Sequence, residues 1–242
     1  MKTKQEMPNQ MDQRYHHIDA NLDMLEKGAI LQKDGTYAIA PHLAGGLIMD
    51  PDLLIRISNV MKKYNIPAVK ATSSQRLALV GIKKDDVDAV WHDLKMKPGA
   101  AIGLCVRVVK FCPGSTFCRR GQQDAIGLGM EIDKKYHGMN LPNKFKIGIS
   151  GCPNKCMDST IIDFGAMGTA KGFTVYVGGN GGARPRFADK LAENQPPEKV
   201  IEILDRVVDY YKKEAQTYER VGNMIDRIGF DKFQTEVVPL LH

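Results

Sequence analysis

The sequence lacks any long apolar run and any signal-like N-terminus. The apolar stretch at 100–109 is interrupted by charge within about ten residues, well short of the roughly twenty that a membrane helix needs. Residues 1–17 are polar throughout and have no apolar centre of the kind found in signal peptides. We therefore expect a cytoplasmic protein with no membrane partner.

Aromatic residues and net charge are also modest. Aromatics make up 7% of the chain and are not interleaved with basic residues in a stretch that could stack on bases. A formal charge of +6 is small enough to serve an anionic cofactor or a small anionic substrate instead. These absences exclude a nucleic-acid partner. No flavin or nicotinamide fingerprint is visible either, so a redox reaction here would need a separate electron-donor protein.

The patterns that are present predict an α+β protein of 242 residues. After an N-terminal arm at 1–28, residues 29–98 alternate between strand-like and helical periodicity. A turn signal at 33–36 predicts a hairpin, and Asp50-Pro51 begins a helical pattern. The resulting order of strand, helix, strand, strand and helix is typical of a ferredoxin-like split βαβ module.

The rest of the chain divides into a cysteine-containing α/β domain at 99–195 and a helical C-terminal tail at 196–242. Within the α/β domain, 144–150 and 173–179 read as strands, and 120–136 reads as a helix. All five cysteines lie in this domain. Cys105 occupies an apolar segment, where we expect it to be part of the core.

Four cysteines form two pairs, Cys112/Cys118 and Cys152/Cys156. In a reducing cytosol such pairs indicate metal or redox chemistry rather than disulfides. The gap within the first pair is wider than structural zinc prefers, whereas an iron–sulfur cubane accepts it. Spacing alone leaves three readings open: a cluster, a zinc site, or unrelated buried cysteines.

The two cysteine motifs, CPGSTFCRRGQQDAIGLG and KFKIGISGCPNKCMD, resemble those of the siroheme-dependent nitrite and sulfite reductases. The likeness extends to VGGNGG and to ATSSQRLALVGI, which is similar to the Thr-x-x-Gln motif of that family. It is most evident with the siroheme part of the NADH-dependent nitrite reductases, and it covers roughly residues 36–235.

This resemblance implies two cofactors, siroheme and a 4Fe-4S cluster. It assigns the cluster to the four paired cysteines and makes Cys156 a bridge to the siroheme iron. Siroheme carries many carboxylates, so we expect basic side chains and exposed backbone N–H groups around it. The candidates for these contacts are Arg119, Arg120, Lys155, Gly179, Asn180 and Gly181.

The resemblance also implies catalytic residues. Lys144 and Lys146 match the family's pair of lysines, and their spacing places both ammonium groups on one face of a strand. At two positions where the family commonly has arginine, this chain has His42 and Ser74. We expect Arg76 and His42 to compensate for those arginines.

The expected function is reduction of sulfite or nitrite, a small anionic substrate, with sulfite slightly favoured. The alternative is an electron-transfer or siroheme-carrying subunit without turnover of its own. The family's assimilatory sulfite reductases carry two copies of the ferredoxin-like and siroheme unit, whereas this chain has one copy. A single copy predicts a homodimer or a higher homo-oligomer in which a second chain completes each site.

Overall fold

The computed structural model describes residues 23–238, which form two compact units. The first unit contains the described residues up to 41 together with 50–71 and 77–98. The second contains 42–49, 72–76 and the chain from 99 onward. Most of the predicted N-terminal arm, residues 1–22, lies outside the described part of the chain. No helix in the described range 23–238 is long and apolar enough to cross a membrane.

The first unit is an antiparallel four-stranded sheet with two helices. Its elements are β1 (Ala29–Leu31), β2 (Tyr37–Ile39), α1 (Pro51–Lys63), β3 (Ala68–Ala71), β4 (Leu77–Ile82) and α2 (Val87–Leu94). The strand order is β1-β2-β4-β3, and β1 pairs with β2 as the predicted hairpin. Asp50 caps α1 by accepting a hydrogen bond from the Asp52 amide at 3.0 Å, as its sequence pattern predicts. The ferredoxin-like half module is confirmed.

The second unit is a five-stranded mixed sheet covered by helices. Its elements are β5 (Val106–Phe111), α3 (Gly114–Phe117), α4 (Ala125–Tyr136), β6 (Phe145–Ser150), β7 (Phe164–Thr169), β8 (Gly172–Val177), β9 (Asp189–Gln195), α5 (Pro197–Glu214), α6 (Val221–Ile228) and α7 (Phe230–Val237). The strands follow chain order across the sheet, β5 to β9. β5, β6 and β7 are mutually parallel, and β8 and β9 are antiparallel to their neighbours.

The parallel pairing of β5 and β6 positions the two cysteine loops. The register aligns Phe111 with Ile149, so both strands end at nearly the same level. The carboxyl ends of adjacent parallel strands lie at one edge of a sheet, and the connections leaving them therefore start as neighbours. Cys112 follows β5 directly, and Cys152 lies two residues beyond β6.

The helix predicted over 120–136 begins only at Ala125. The Asp124 side chain caps it by accepting a hydrogen bond from the Gly127 amide at 2.9 Å. The preceding residues Gln122 and Gln123 instead donate their backbone amides to the second cysteine loop. The prediction was wrong at this end because a long-range contact replaces the first helical turn. Strands β5, β7 and β9 were not predicted: β5 and β7 are mostly buried without clear alternation, and in β9 only Leu191 and Gln195 are buried.

Candidate active site

Direct backbone contacts bring the two cysteine loops together. The Gly151 amide donates a hydrogen bond to the Cys112 sulfur at 3.1 Å. The Gly151 carbonyl accepts from the amides of Gln122 and Gln123 at 2.8 and 3.0 Å. Cys112 and Cys152 are each only 8% exposed, whereas Cys118 and Cys156 are exposed. An amide donated to sulfur stabilises a thiolate, so the contact suits a metal ligand.

Glycine is required where these loops touch. A Cβ on Gly151 would lie 2.6 Å from the Gly114 Cα, and one on Gly121 would lie 2.2 Å from the Gly114 carbonyl oxygen. Gly114 itself has a φ of +53°, in the left-handed region. Larger residues would push the loops apart. The glycines around the cysteines therefore allow close backbone approach, which fixes the spacing of the two pairs.

An ion pair joins the same two loops from the face of the sheet. Lys110, two residues before Cys112, contacts Asp158, two residues after Cys156, with Nζ and Oδ2 2.5 Å apart. The Lys110 side chain is 10% exposed. The Asp158 side chain is 53% exposed, so water screens the attraction from that side and the pair is only partly protected. Neither residue was a sequence candidate.

Gln75 attaches a further segment to the end of β5. Its side-chain amide donates to the Phe111 carbonyl oxygen, and its side-chain oxygen accepts from the Phe111 amide, both at 3.0 Å. Since β5 is an edge strand, Gln75 occupies backbone positions that a neighbouring strand would otherwise pair. Ser73 and Ser74 are thereby held beside the sheet. This contact gives the Thr-x-x-Gln motif a structural role next to Cys112.

A cavity of about 290 Å³ lies on the face of the sheet formed by β5 and β6. Its wall carries more basic than acidic side chains, and it includes four of the ten residues that the sequence assigns to substrate and siroheme. The lining residues are Ser73, Ser74, Val108, Lys110, Lys144, Lys146, Asp158, Ile161, Ile162, Asp163, Asn180, Gly181, Gly182 and Arg220. The two predicted lysines thus share a cavity with Asn180 and Gly181, all within one unit of one chain.

Lys146 lies in a partly desolvated position. Its backbone amide donates to Asp163 at 3.0 Å, and burial lowers the pKa of its ammonium group, with Arg220, Lys144 and Arg107 acting in the same direction. An ammonium with a lowered pKa gives up its proton more readily near neutral pH. Lys146 is therefore suited to donate a proton to a bound oxyanion.

Arg76 and His42 are not among the residues that line this cavity. Arg76 is 8% exposed, and its guanidinium donates to the backbone carbonyls of Ala100 and Arg107. His42 Nε2 contacts Asp133 Oδ2 at 2.8 Å, and its ring stacks on His137 with centroids 3.7 Å apart. Both side chains are occupied by structural contacts. The catalytic roles of Arg76 and His42 stay predictions.

The remaining cofactor candidates differ in their surroundings. Arg119 and Arg120 are exposed and follow Cys118, so their side chains can reach an anionic group. Lys155 has a φ of +51°, and its ammonium lies 5.2 Å from the centre of the Tyr176 ring. A Cβ on Gly179 would lie 2.5 Å from the Ile162 amide nitrogen, which explains the need for glycine there.

His137 gives a prediction about stability at low pH. Burial, followed by the neighbouring His42 ring, lowers the pKa of His137 to about 4 from an ordinary 6.5. Between pH 6.5 and 4, His137 is protonated in the unfolded chain but stays neutral in the folded chain. The free energy of unfolding should therefore fall as pH drops from 6.5 toward 4. We expect His137→Gln to lose stability less steeply over this range in denaturant titrations. His92→Gln, at an exposed position, should follow the wild type; equal slopes for all three proteins would contradict the prediction.

Comparison with known proteins places the chain in a family. The model described as the nitrite and sulphite reductase 4Fe-4S domain matches residues 102–241. The model of the nitrite/sulfite reductase ferredoxin-like half domain matches residues 30–97. The chain belongs to the nitrite and sulfite reductase family. It is therefore an oxidoreductase with siroheme and a 4Fe-4S cluster as its cofactors.

Relatives in this family differ greatly in length. The assimilatory-type sulfite reductase of Nitratidesulfovibrio vulgaris is 42% identical over 213 residues, covering 88% of this chain and 97% of that protein. The NAD(P)H nitrite reductase of Bacillus subtilis is also 42% identical, over 207 residues, covering 86% of this chain but 26% of that protein. The chain thus spans nearly the whole of one relative and about a quarter of the other.

Solved structures show the same fold. Dissimilatory sulfite reductase I matches with a TM-score of 0.72 and 16% identity, over 83% of this chain and 68% of that chain. The NirA protein of Mycobacterium tuberculosis matches with a TM-score of 0.70 and 21% identity, over 81% of this chain and 38% of that chain. At these identities the likeness concerns the fold alone.

The cysteine loops fit an iron–sulfur cluster. Four cysteines on two glycine-rich loops offer thiolate donors, and the Gly151 amide already points at one of the sulfurs. The close packing of Gly114, Gly121 and Gly151 keeps side chains out of the space between the loops. Four thiols on two adjoining loops are a donor set that a cubane cluster accepts.

Sequence reasoning missed three cavity or loop residues, Lys110, Arg220 and Gln75. Lys110 stands in a mostly apolar segment and Arg220 in one of mixed charge, and in neither does a single basic residue carry a signal. Their partners Asp158 and Asp163 are 48 and 57 residues away in sequence. Only Gln75 had a usable signal, because it belongs to the Thr-x-x-Gln motif.

Proposed function

We propose that this chain reduces sulfite to sulfide by six electrons, with Lys144 and Lys146 binding the oxyanion and supplying protons. The observation that carries the proposal is the cationic cavity, which brings both lysines together with Lys110 and Arg220. Asp158 links the cavity wall to the second cysteine loop. Cationic groups in a partly dry site bind oxyanions far more strongly than they would in water.

Cys112, Cys118, Cys152 and Cys156 would hold the cluster, and Cys156 would also serve as a ligand of the siroheme. When bound, the two cofactors supply the electrons. The chain's own residues bind and orient the substrate and deliver protons. Lys146 fits the proton-donor role because burial lowers the pKa of its ammonium group. Arg119, Arg120, Lys155 and the turn Gly179–Gly181 fit contacts to the carboxylates of siroheme.

Sulfite is favoured over nitrite as the substrate because of how much of each relative's length this chain covers. The relative named as an assimilatory-type sulfite reductase is covered over 97% of its length. The NAD(P)H nitrite reductases of Bacillus subtilis and Emericella nidulans are covered over 26% and 20% of their length, so most of each lies beyond the shared part. Nitrite reduction to ammonia stays the second candidate, because it uses the same number of electrons and the same class of anion site.

A subunit without turnover is the alternative. The assimilatory nitrate reductase electron transfer subunit of Bacillus subtilis is 28% identical over 217 residues, covering 27% of that protein. A separate electron-donor protein is part of both readings. We also propose a two-fold homo-oligomer, which light scattering of the cofactor-loaded protein would reveal.

An anaerobic assay with a reduced viologen as electron donor tests the proposal. We expect sulfite to be consumed with sulfide as the product, and nitrite to be reduced with a lower kcat/KM. A cofactor-loaded protein that reduces neither anion would favour the electron-transfer alternative. A higher kcat/KM for nitrite would reverse the substrate assignment.

A further inference from the structure

Arg220 is anchored at the cavity by a buried carboxylate. It immediately precedes α6, and its Nε and Nη2 donate to both oxygens of Asp163 at 2.7 to 3.0 Å. The Asp163 side chain is 1% exposed and that of Arg220 is 15% exposed. Burial raises the pKa of the Asp163 carboxyl, and the paired guanidinium opposes that rise. A two-point contact of this kind fixes the plane of a guanidinium.

The remaining amino group of Arg220 makes no hydrogen bond within residues 23–238 and is not fully buried. All three hydrogen bonds to Asp163 are donated by Nε or Nη2. No hydrogen bond joins Nη1 to any residue within 23–238. In that same range, His137 Nδ1 is the one buried side-chain nitrogen or oxygen without a partner, so Nη1 is not buried. Arg220 lines the cavity, and its pairing with Asp163 fixes the guanidinium there while leaving Nη1 as an unused donor.

Asp163 ties Arg220 to a proposed catalytic lysine. The same carboxylate that holds the guanidinium accepts the backbone amide of Lys146 at 3.0 Å. Arg220 and Lys146 therefore share one rigid support at the cavity wall. A donor that is already oriented loses little freedom when an anion arrives, which strengthens binding.

Ser74 makes an additional cation useful at this cavity. It lines the wall, and its hydroxyl carries no charge; the family resemblance implies an arginine at this position. Arg220 reaches the same cavity from the C-terminal part of the chain, far away in sequence. Arg220 thus brings to the cavity a positive charge that Ser74 does not provide.

We propose that Arg220 is an anion-binding residue of this cavity, donating through Nη1 to an oxygen of the oxyanion substrate or to a carboxylate of the tetrapyrrole. The proposal rests on the function proposed above, since it takes the cavity to be the site where these anions bind. Both ligands share the same chemistry, an anionic oxygen facing a fixed guanidinium edge.

The test uses paired substitutions in the cofactor-loaded protein. Arg220→Gln with Asp163→Asn removes the ion pair without leaving a buried carboxylate unpaired. Arg227→Gln with Glu219→Gln is the matched control. It removes a similar two-point pair, with both contacts at 2.8 Å, from α6 and the segment before it, outside the cavity lining.

Two quantities are measured for each protein: siroheme content, and the dissociation constant of sulfite from its effect on the siroheme absorption spectrum. If Arg220 contacts the substrate, sulfite affinity should fall about tenfold or more at unchanged siroheme content, the scale of one charge-assisted hydrogen bond. If it contacts the tetrapyrrole, siroheme content should fall instead. Both quantities matching the Arg227 control would overturn the proposal.

Arg220→Lys covers the case in which the paired variant does not fold. It keeps the cation beside Asp163 but loses the fork that leaves one amino group free. We expect this variant to fold and to show a smaller decrease in the same two quantities; wild-type values in both would also overturn the proposal. Because neither quantity needs turnover, an enzyme that binds sulfite without reducing it would count against the proposed function and not against the role of Arg220.

Discussion

Cys156→Ser should give a protein that has lost reductase activity and in which the spectra of siroheme and of the cluster are perturbed together. We assign the sulfur of Cys156 to both metals, and a serine oxygen is a poor replacement for a thiolate that bridges them. Activity should fall to the background of the assay. Absorption of the anaerobically purified variant, with sulfite turnover, is the measurement.

Cys105→Ser is the control for this substitution. Cys105 is buried, its sulfur donates to the Ile102 carbonyl oxygen at 3.7 Å, and burial raises the pKa of its thiol. Such a cysteine is inert and lies outside both pairs, so both spectra should stay intact. Loss of the cluster from the Cys105 variant, or normal turnover in the Cys156 variant, would show that the ligands are assigned wrongly.

Replacing Lys144 and Lys146 together should cause the second large loss of reductase activity. The double variant Lys144→Ala/Lys146→Ala should retain its cofactors and slow turnover by roughly 10²–10⁴-fold, the usual scale for a lost general acid. The physical reason is that burial lowers the pKa of Lys146, which makes it an effective proton donor. Steady-state kinetics with sulfite and with nitrite measure the effect.

The matched control is Lys190→Ala/Lys199→Ala, which removes two lysines from partly exposed surface ion pairs with Glu193 and Glu202. Those pairs contribute little to stability, so this variant should behave as wild type. If the cavity variant also showed unchanged kinetics with both anions, Lys144 and Lys146 would have no place in the active site.

Local signals made the first unit predictable from sequence. The Asp50 cap, the hairpin turn at 33–36 and the periodicity of α2 each act over a few residues, and each appears in the structure. The cysteine loops were also visible, because glycine and proline leave a distinct pattern around them.

The cavity depends on contacts that no local pattern reveals. Lys110 with Asp158 and Arg220 with Asp163 meet only after β5, β6 and the C-terminal helices have packed. The sequence did predict the face occupied by Lys144 and Lys146, because Phe145 and Ile147 alternate with them and are buried. It did not predict that Arg76 and His42 would be engaged by structural partners.

The Mössbauer spectrum of the isotopically enriched, anaerobically purified protein tests the central claim, that one chain joins a cluster and siroheme through Cys156. An isolated oxidised 4Fe-4S cluster is diamagnetic. A cluster bridged to a paramagnetic siroheme iron shares its spin and shows magnetic splitting. We predict magnetic splitting from the cluster irons in the wild-type protein. A diamagnetic cluster spectrum beside a paramagnetic siroheme would contradict the bridge.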